Sequence, residues 1–341
     1  MKYDVTIGIP VYLVERYIQK SLESALSQSY PSIEYLIVDD CGEDNSIQIV
    51  RQMKEHSSRG DDIRIVTQPM NLGVAAARNR IIDEAQGEFI FFMDSDDVIN
   101  TNAIFLLMQC VRLYDAEVAF GSYEKVELSG ERVAYGYPKK LFLETDAFAN
   151  FCYRKFAGIQ ASACNYLVRS SLLKKNNHRF INANYWEDYA FTFDLVPYVS
   201  RAVTLPDVTY IYICRENSLS HYQHRAYVNK SEIMNNIRVI DHLKTTSSFL
   251  TEKTYYPNRC LCIMMTDFYI ACNILKRRSD ITPSFSNDEI RILFRHPSSF
   301  WKIMSFRQSR IKNVCLYLLG RLPSYLCVFV VWCIGKIKKL V

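Results

Sequence analysis

The first hundred residues alternate between short apolar runs and segments with helical spacing, which limits the possible folds more than any other feature of this 341-residue chain. The apolar runs have the length of buried strands. Strand and helix in regular succession predict an α/β fold with a doubly wound, mostly parallel sheet. The predicted strands cover residues 5–10, 33–38, 63–66 and 89–93. The helices between them begin near residues 17, 47 and 71, and the last is expected to end at Gly87 with a left-handed cap.

Carboxylates follow two of these predicted strands. Asp39 and Asp40 end the second strand, and Asp94, Asp96 and Asp97 follow the fourth within four residues. In open parallel sheets, ligands bind beyond the carboxyl ends of the strands. Three acids this close repel one another unless a cation lies among them, and a hard divalent ion with oxygen ligands suits the site. Helix capping is the alternative for one or two of the acids, and it is the best explanation of Asp97.

The glycine-rich loops that usually bind phosphate are missing. Neither G-x-G-x-x-G nor G-x-x-x-x-G-K-[ST] occurs, which argues against a dinucleotide dehydrogenase or a P-loop enzyme. The eleven cysteines include no C-x-x-C pair, so a reducing compartment is favoured over disulfides. A hydrophobic fraction of 49% with 23% charged residues is that of an ordinary globular protein.

Four motifs in the first 120 residues form a set with a specific order and spacing. They are Ile-Gly-Ile-Pro-Val-Tyr at 7–12, Val-Asp-Asp at 38–40, Asn-Leu-Gly with Ala-Ala-Arg-Asn at 71–79, and Met-Asp-Ser-Asp-Asp at 93–97. The set resembles the nucleotide-sugar-binding half of the family-two glycosyltransferases. The resemblance implies a glycosyltransferase-A fold, which is Rossmann-like, a nucleotide-sugar donor, and Mn²⁺ or Mg²⁺ as cofactor.

The resemblance also implies roles for individual residues of the donor site. Pro10 and Tyr12 would flank the base and the ribose, and Asp39 would contact the base. Asp94 would contact the ribose, and Asp96 would ligate the metal that bridges the diphosphate. The chemistry agrees, because a diphosphate leaving group needs its developing charge neutralised.

Further donor contacts are implied outside the strand ends. Arg78, within the Ala-Ala-Arg-Asn phrase, is expected to bind the donor. Leu13 departs from the family pattern, which usually has Asn there. Arg215 begins a stretch similar to the family's Arg-x-x-Ser loop, and it would either neutralise phosphate or serve as surface structure. His221 and His224 have the spacing of metal ligands, although such pairs are more often structural.

Glu187 and Asp188 lie between aromatic residues and form the second informative acidic pair. They fit equally well as the acidic first turn of a helix or as a carboxylate that takes the acceptor's proton. The resemblance favours catalysis, with Asp188 as general base and Glu187 orienting the acceptor. In-line attack assisted by one base would invert the anomeric configuration. The processive signature Gln-x-x-Arg-Trp is missing, which favours the addition of a single sugar.

The remaining chain is predicted to be helical, with a basic and apolar end. From residue 290 onward there are ten Lys or Arg residues (291, 295, 302, 307, 310, 312, 321, 336, 338 and 339) and no Asp or Glu. The predicted domains are a catalytic domain at 1–225, divided into a nucleotide-sugar half at 1–120 and an acceptor half at 121–225, and a helical region at 226–341 with a tail at 301–341.

This tail has the composition of helices that lie in an anionic membrane interface. The apolar stretch 314–334 contains Arg321 and Pro323, and its uninterrupted part is too short to cross a bilayer. The alternatives are a helical hairpin packed on the catalytic domain, a true span and, least favoured, a nucleic-acid site. With no secretory signal at the start, the expected location is cytoplasmic, peripheral on the inner face of the cytoplasmic membrane.

Taken together, the motifs predict a metal-dependent, inverting glycosyltransferase. It would move one sugar from a nucleotide diphosphate sugar, with a UDP-sugar favoured, to a glycan or lipid-linked glycan acceptor in surface polysaccharide biosynthesis. One alternative is a nucleotidyltransferase on a similar sheet, which would release pyrophosphate instead of a nucleoside diphosphate. A non-catalytic, membrane-bound scaffold that binds nucleotide sugars is another, but the intact acids at 94, 96, 187 and 188 argue against it.

Overall fold

The computed structural model describes residues 2–154, 162–183, 186–215 and 227–341. The chain divides into two compact units. Among the described residues, the first unit holds 2–148 and 162–215, and the second holds 149–154 and 227–341.

A ten-stranded mixed sheet forms the centre of the first unit. Its core strands are fully buried apolar runs, as expected for strands covered on both faces. The strands are β1 (Tyr3–Val11), β2 (Ile33–Asp39), β3 (Ile63–Thr67), β4 (Gly87–Phe92), β5 (Val98–Ile99), β6 (Val118–Val126), β7 (Arg132–Tyr135), β8 (Lys140–Phe142), β9 (Tyr166–Arg169) and β10 (Ala202–Ile213).

The main path of the sheet runs β3-β2-β1-β4-β9-β6-β10-β5, with β7 paired to β6 and β8 to β10. β1 pairs in parallel with β2 and β4, and β2 with β3. β9 is antiparallel to both β4 and β6, while β6 and β10 are parallel. The first four strands therefore point the same way as β6 and β10. The predicted mostly parallel α/β sheet is confirmed, with β9 and the short edge strands as antiparallel additions.

Several successive strands are connected by helices. In the first of them, Ile18, Leu22 and Ala25 are fully buried, at the spacing that puts them on one face. The helices up to residue 195 are α1 (Ile18–Leu26), α2 (Ser46–His56), α3 (Val74–Glu84), α4 (Ala103–Tyr114), α5 (Ala147–Arg154), α6 (Ser170–Lys175) and α7 (Glu187–Leu195).

Gly87 has a different role from the one predicted. Helix α3 ends at Glu84, and Gly87 is the first residue of β4 instead of a left-handed helix cap. A Cβ atom on Gly87 would lie 2.4 Å from the backbone nitrogen of Thr6. The glycine is therefore required by the close approach of β4 to β1, which sets where β4 delivers its acidic end.

The second unit is helical, as the sequence predicts. Two of its helices begin with capping boxes, one formed by Asn229 with Glu232 and one by Ser286 with Glu289, each of which satisfies two backbone N–H groups. The elements are β11 (Val228–Asn229), α8 (Lys230–Thr246), α9 (Tyr256–Lys276), β12 (Ile281–Thr282), α10 (Asn287–Ile292), α11 (Phe300–Met304), α12 (Arg310–Leu319) and α13 (Ser324–Ile337). Across the described ranges, no helix has both the length and the apolar character needed to cross a membrane.

Candidate active site

The predicted donor-binding residues meet at one edge of the sheet. In the parallel register of β1 and β2, Pro10 is opposite Val38, and the next pair ends at Asp39. β4 runs on the other side of β1 and leads into Asp94. Tyr12 follows β1 directly and is exposed. Pro10, Tyr12, Asp39 and Asp94 are thus brought to the carboxyl ends of three adjacent strands, where open α/β sheets bind ligands.

The two acids at the end of β2 have different surroundings. Asp40 accepts hydrogen bonds from the backbone N–H groups of Leu72 (2.8 Å) and Gly73 (2.9 Å), so it holds the loop that leads into α3. Asp39 accepts from the backbone N–H of Cys41 at 3.0 Å. Asp40 therefore has a structural role. Asp39 is the member of the pair that, by resemblance to the family, is expected to contact the nucleotide base.

Leu13 adopts a backbone conformation that explains the family pattern at this position. Its φ of 52° lies in the left-handed region, which Asn tolerates far better than a branched apolar residue. Leu13 therefore occupies a strained position in the turn after β1, which an Asn would adopt more readily.

Arg78 is the centre of a buried ion-pair network. Its two terminal amino groups donate to Asp94 Oδ1 and to Glu187 Oε1, both at 2.7 Å. Burial acts to lower the pKa of Arg78, but the charges of Asp94 and Glu187 outweigh it and hold the pKa above its ordinary value. Arg78 joins the end of β4 to the start of α7, and both amino groups are engaged by protein carboxylates.

Asp96 forms an ion pair with Arg215. The guanidinium of Arg215 also lies 5.0 Å from the ring centroid of Tyr17, a cation–π contact. Burial raises the pKa of Asp96, and the charge of Asp94 raises it further, whereas Arg215 lowers it. The charge of Asp94 therefore disfavours the charged form of Asp96, and a positive group beside Asp96 is stabilising.

Asp97 was expected to cap a helix, and this expectation is wrong. The next helix, α4, begins only at Ala103. Asp97 is buried and accepts hydrogen bonds from the Tyr210 hydroxyl (2.7 Å) and the Ile213 backbone N–H (2.8 Å). Burial, followed by the charges of the neighbouring acids, raises the pKa of Asp97 well above its ordinary value. The Tyr210 hydroxyl also accepts from the backbone N–H of Asp94 at 3.1 Å, so β10 anchors the acidic loop.

Tyr210 and Tyr17 are two site residues that sequence reasoning missed. Tyr210 belongs to β10, whose alternating aromatic residues predict a strand and nothing more. Tyr17 immediately precedes α1 and has the pattern of an ordinary helix start. Each is identified only by what it touches after folding, so no local signal could have revealed either of them.

Asp188 lies in the first turn of α7, directly after Glu187. Burial raises the pKa of Asp188 to about 7, and the charge of Glu187 contributes to the increase. A carboxyl group with such a pKa can accept a proton near neutral pH. Glu187 itself is buried against Arg78, a position suited to holding α7. From the sequence, Asn184 is a candidate cap for α7, and it lies outside the described residues.

The carboxylates at the end of β4 suit a sparsely ligated hard cation. Within the part of the chain that the structure describes, no three His, Cys, Asp or Glu side chains form a group that could hold a metal ion. Mg²⁺ and similar ions use one or two carboxylates and complete their shell with phosphate oxygens and water. Asp96 fits that pattern, because the neighbouring charge of Asp94 disfavours its own charge and a cation would relieve this repulsion. His221 and His224 lie outside the described residues.

Comparison with known proteins decides the family. The sequence profile of glycosyl transferase family 2 matches residues 6–174. An uncharacterized glycosyltransferase of Haemophilus influenzae is 30% identical over 199 residues, which are 58% of this chain and 74% of that protein. The chain belongs to glycosyl transferase family 2. This glycosyltransferase therefore carries the site above at the sheet edge where the four sequence motifs converge.

Two further comparisons extend the assignment. A poly(ribitol-phosphate) beta-glucosyltransferase of Bacillus spizizenii is 28% identical over 217 residues, or 62% of this glycosyltransferase and 32% of that protein. The crystal structure of TarS residues 1–349 from Staphylococcus aureus, in complex with UDP-GlcNAc, aligns with a TM-score of 0.56 and 19% identity over 93% of this chain and 90% of that one. At this identity the structural likeness establishes the glycosyltransferase-A fold.

Proposed function

We propose that this glycosyltransferase moves a single sugar from a nucleotide diphosphate sugar, with a UDP-sugar as donor, to a glycan or lipid-linked glycan in surface polysaccharide biosynthesis. The observation that carries the proposal is the ion-pair network of Arg78. It connects Asp94, at the donor edge of the sheet, with the first turn of α7, which bears Asp188. One buried group thus joins the donor carboxylate Asp94 to the helix turn that carries the candidate base.

On the donor side, Pro10 and Tyr12 would flank the base and ribose, with Asp39 on the base and Asp94 on the ribose. Asp96 would hold Mn²⁺ or Mg²⁺, and the metal, when bound, supplies positive charge to the diphosphate leaving group. The ion pair of Asp96 with Arg215 supports this part of the proposal, because it shows that the carboxylate takes a cationic partner. Arg215 would then contribute its own charge to the diphosphate.

On the acceptor side, Asp188 would remove the proton from the attacking hydroxyl group. The acceptor oxygen forms a bond to the anomeric carbon while the bond to the diphosphate breaks, and the electron pair leaves with the nucleotide. A single displacement of this kind inverts the configuration. The pKa of about 7 for Asp188 supports the assignment, because a carboxyl group of that pKa is partly deprotonated near neutral pH and accepts a proton effectively.

The acceptor is proposed to be a surface glycan or its lipid-linked precursor. The relative from Bacillus spizizenii is named for poly(ribitol-phosphate), which supports an acceptor of this kind. A lipid-linked acceptor would be met at the inner face of the cytoplasmic membrane, and residues 301–341 would make a peripheral contact there. We do not assign any nucleic acid as a partner.

A thermal-shift screen of UDP-sugars with and without Mn²⁺, followed by product analysis, tests the proposal. A donor at a hundred times its Kd should stabilise the native protein by about 2.7 kcal/mol. Asp96→Asn should lose the Mn²⁺-dependent part of this stabilisation. Asp188→Asn should keep donor stabilisation and lose at least about a hundredfold in transfer rate.

The exposed acid Asp61 provides the matched control, since Asp61→Asn should change neither donor binding nor transfer. Transfer by Asp188→Asn at the normal rate would refute the base assignment. Release of pyrophosphate in place of nucleoside diphosphate would show a nucleotidyltransferase, and donor binding without turnover on any acceptor would favour a scaffold.

A further inference from the structure

The last helix of the second unit, α13, is apolar on two opposite faces. On one face, Cys327 and Val331 are completely buried. On the other, Tyr325, Phe329 and Trp332 are 64%, 60% and 45% exposed. These three follow one another at i, i+4 and i+7, so they form a continuous stripe along the helix. A helix at a water-facing surface normally carries polar side chains on its outer face.

The preceding helix, α12, repeats this arrangement. Ile311, Cys315 and Leu318 are all exposed and again stand at i, i+4 and i+7. Helices α12 and α13 each pack against α9, and the buried residues of α12, such as Leu316, belong to its other side. Because both helices are already fixed by their inner faces, neither stripe can turn inward to escape water.

Positive charge surrounds both stripes. Arg310 and Lys312 are exposed on either side of Ile311, and Lys336 is exposed with its amino group 5.7 Å from the Trp332 ring centroid. Residues 290–341 contain no Asp or Glu. An apolar stripe flanked by Lys and Arg of its own helix matches the two components of an anionic lipid interface, which are acyl chains and phosphate headgroups.

The lengths of the helices decide how they could meet a bilayer. Helix α13 has 14 residues, and at a rise of 1.5 Å per residue it is about 21 Å long. The hydrocarbon core of a bilayer is about 30 Å thick. Arg321 and Pro323 separate α12 from α13, so the two cannot act as one longer segment. An orientation in the plane of the membrane is the one that these lengths allow.

We propose that α12 and α13 form a lipid-docking surface for anionic bilayers. The stripes Ile311-Cys315-Leu318 and Tyr325-Phe329-Trp332 enter the boundary between headgroups and acyl chains, and the surrounding Lys and Arg side chains contact headgroup phosphates. A second copy of the chain is a poorer occupant, because its identical surface carries the same positive charge and the two copies would repel each other. This inference deepens the membrane contact of the proposed function and is independent of the catalytic assignments.

Vesicle binding by the full-length chain tests the surface. The protein should sediment with vesicles of phosphatidylcholine mixed with phosphatidylglycerol, and much less with phosphatidylcholine alone. High salt should weaken the binding, because it screens the headgroup contacts. Lipids brominated in the upper part of the acyl chain should quench tryptophan fluorescence, since Trp332 would enter that region.

Paired substitutions separate the apolar and basic contributions. Phe329→Ser with Trp332→Ser should lower the partition coefficient at least about tenfold, the loss expected for two large apolar side chains. The control is Phe249→Ser, because Phe249 is 86% exposed and lies outside the surface. Arg310→Gln with Lys312→Gln should lower the partition coefficient about thirtyfold, whereas the same change at the exposed pair Lys174 and Lys175 should have little effect.

Three outcomes would overturn the inference. The first is no binding to anionic vesicles, and the second is equal binding by the Phe329→Ser, Trp332→Ser variant. The third is a stable dimer of the wild-type chain that this variant abolishes, because a second copy would then be the occupant. Transfer to a soluble acceptor reports separately on the proposed function. The transfer rate should be unchanged in the Phe329→Ser, Trp332→Ser variant. If the wild-type chain binds vesicles but transfers no sugar, only the catalytic assignments are contradicted.

Discussion

At the scale of single residues, the site depends on the buried guanidinium of Arg78, which forms ion pairs with two carboxylates. Arg78 is expected from its motif to bind the donor, and the structure engages it with Asp94 and Glu187 at 2.7 Å each. Breaking a buried ion pair by removing one partner usually costs about 3–5 kcal/mol, because the other charge is left unpaired. Glu187 therefore has a structural reason to be acidic, apart from any contact with the acceptor.

The pH dependence of transfer should report the ionisation of Asp188. We expect kcat/KM to rise with pH and level off above about 7, the pKa to which burial and Glu187 raise this carboxyl group, because only the deprotonated form accepts a proton. Glu187→Gln removes a negative charge that raises the pKa of Asp188. The positive charge of Arg78, which lowers this pKa, is then less compensated. The inflection should then move to lower pH, as a profile of kcat/KM against pH, measured at acceptor concentrations well below KM, would show.

Glu55→Gln, at an exposed position, is the control and should leave the profile in place. An inflection that stays fixed or moves upward in Glu187→Gln would contradict the assignment of Asp188. The stability of the protein should change in the opposite sense to activity. Because folding raises the pKa of Asp188 from 3.8, the native state binds its proton more tightly. This contribution to stability is therefore present at low pH and decreases as pH rises towards about 7.

At the scale of elements, strand β10 holds the acidic loop that follows β4. The Tyr210 hydroxyl donates to Asp97 and accepts from the Asp94 backbone, and the Ile213 N–H supplies a second bond to Asp97. β10 is not adjacent to β4 in the sheet, since β9 and β6 lie between them. The loop is thus tied to a strand three positions away, which fixes the direction of the carboxylates that it carries.

Tyr210→Phe should loosen this loop. The change removes one hydroxyl and leaves buried Asp97 with a poorer set of donors, a loss of about 1–3 kcal/mol in the free energy of unfolding. It should also weaken Mn²⁺-dependent donor binding, because Asp94 and Asp96 lose their fixed positions. Urea unfolding and donor titration measure the two effects.

The control for Tyr210→Phe is Tyr135→Phe, at a partly exposed tyrosine of β7 whose ring stacks on Tyr123. The exposed hydroxyl of Tyr135 should contribute little to the free energy of unfolding. Equal unfolding free energies for wild type and Tyr210→Phe would show that the hydroxyl of Tyr210 does not anchor the loop.

At the scale of the whole molecule, the basic tail is part of a folded unit. Helix α13 contacts α9 and α10, and Cys327 and Val331 have no exposed surface. A Cβ atom on Gly335 would lie 3.1 Å from the sulfur of Cys272, so α13 and α9 pack closely. The tail is therefore an integral layer of the second unit, and its outer face alone is available to a partner.

Deletion of residues 323–341 should consequently destabilise the second unit. Uncovering the side of α9 and α10 that α13 protects should cost at least about 2 kcal/mol, measured as the free energy of unfolding in urea. The Phe329→Ser, Trp332→Ser variant should lose much less stability than the deletion, because Phe329 and Trp332 are 60% and 45% exposed. A deletion variant as stable as the full chain would contradict the packing of α13. Loss of membrane binding on deletion would not by itself identify the docking surface, because the deletion also disturbs the fold of the second unit.

The sequence by itself determined the order of strands and helices in the first hundred residues and the acids at two strand ends. These features are local, because burial imposes a period of two or 3.6 on neighbouring residues and acids stop a buried strand. It also identified the family through four short motifs. The wrong expectation for Gly87 has the same origin, since a glycine after a helix is locally indistinguishable from one required by a close neighbouring strand.

The tertiary structure alone decided which side chains form the ion pairs and hydrogen bonds of the site. Arg78 and Glu187 are 109 residues apart, and Tyr210 and Asp97 are 113 apart. Such pairs depend on strand order and on the insertion of β9, which no local pattern encodes. The outward direction of the Tyr325-Phe329-Trp332 stripe was also fixed only by packing, because α13 is apolar on both sides and its sequence does not state which side faces α9.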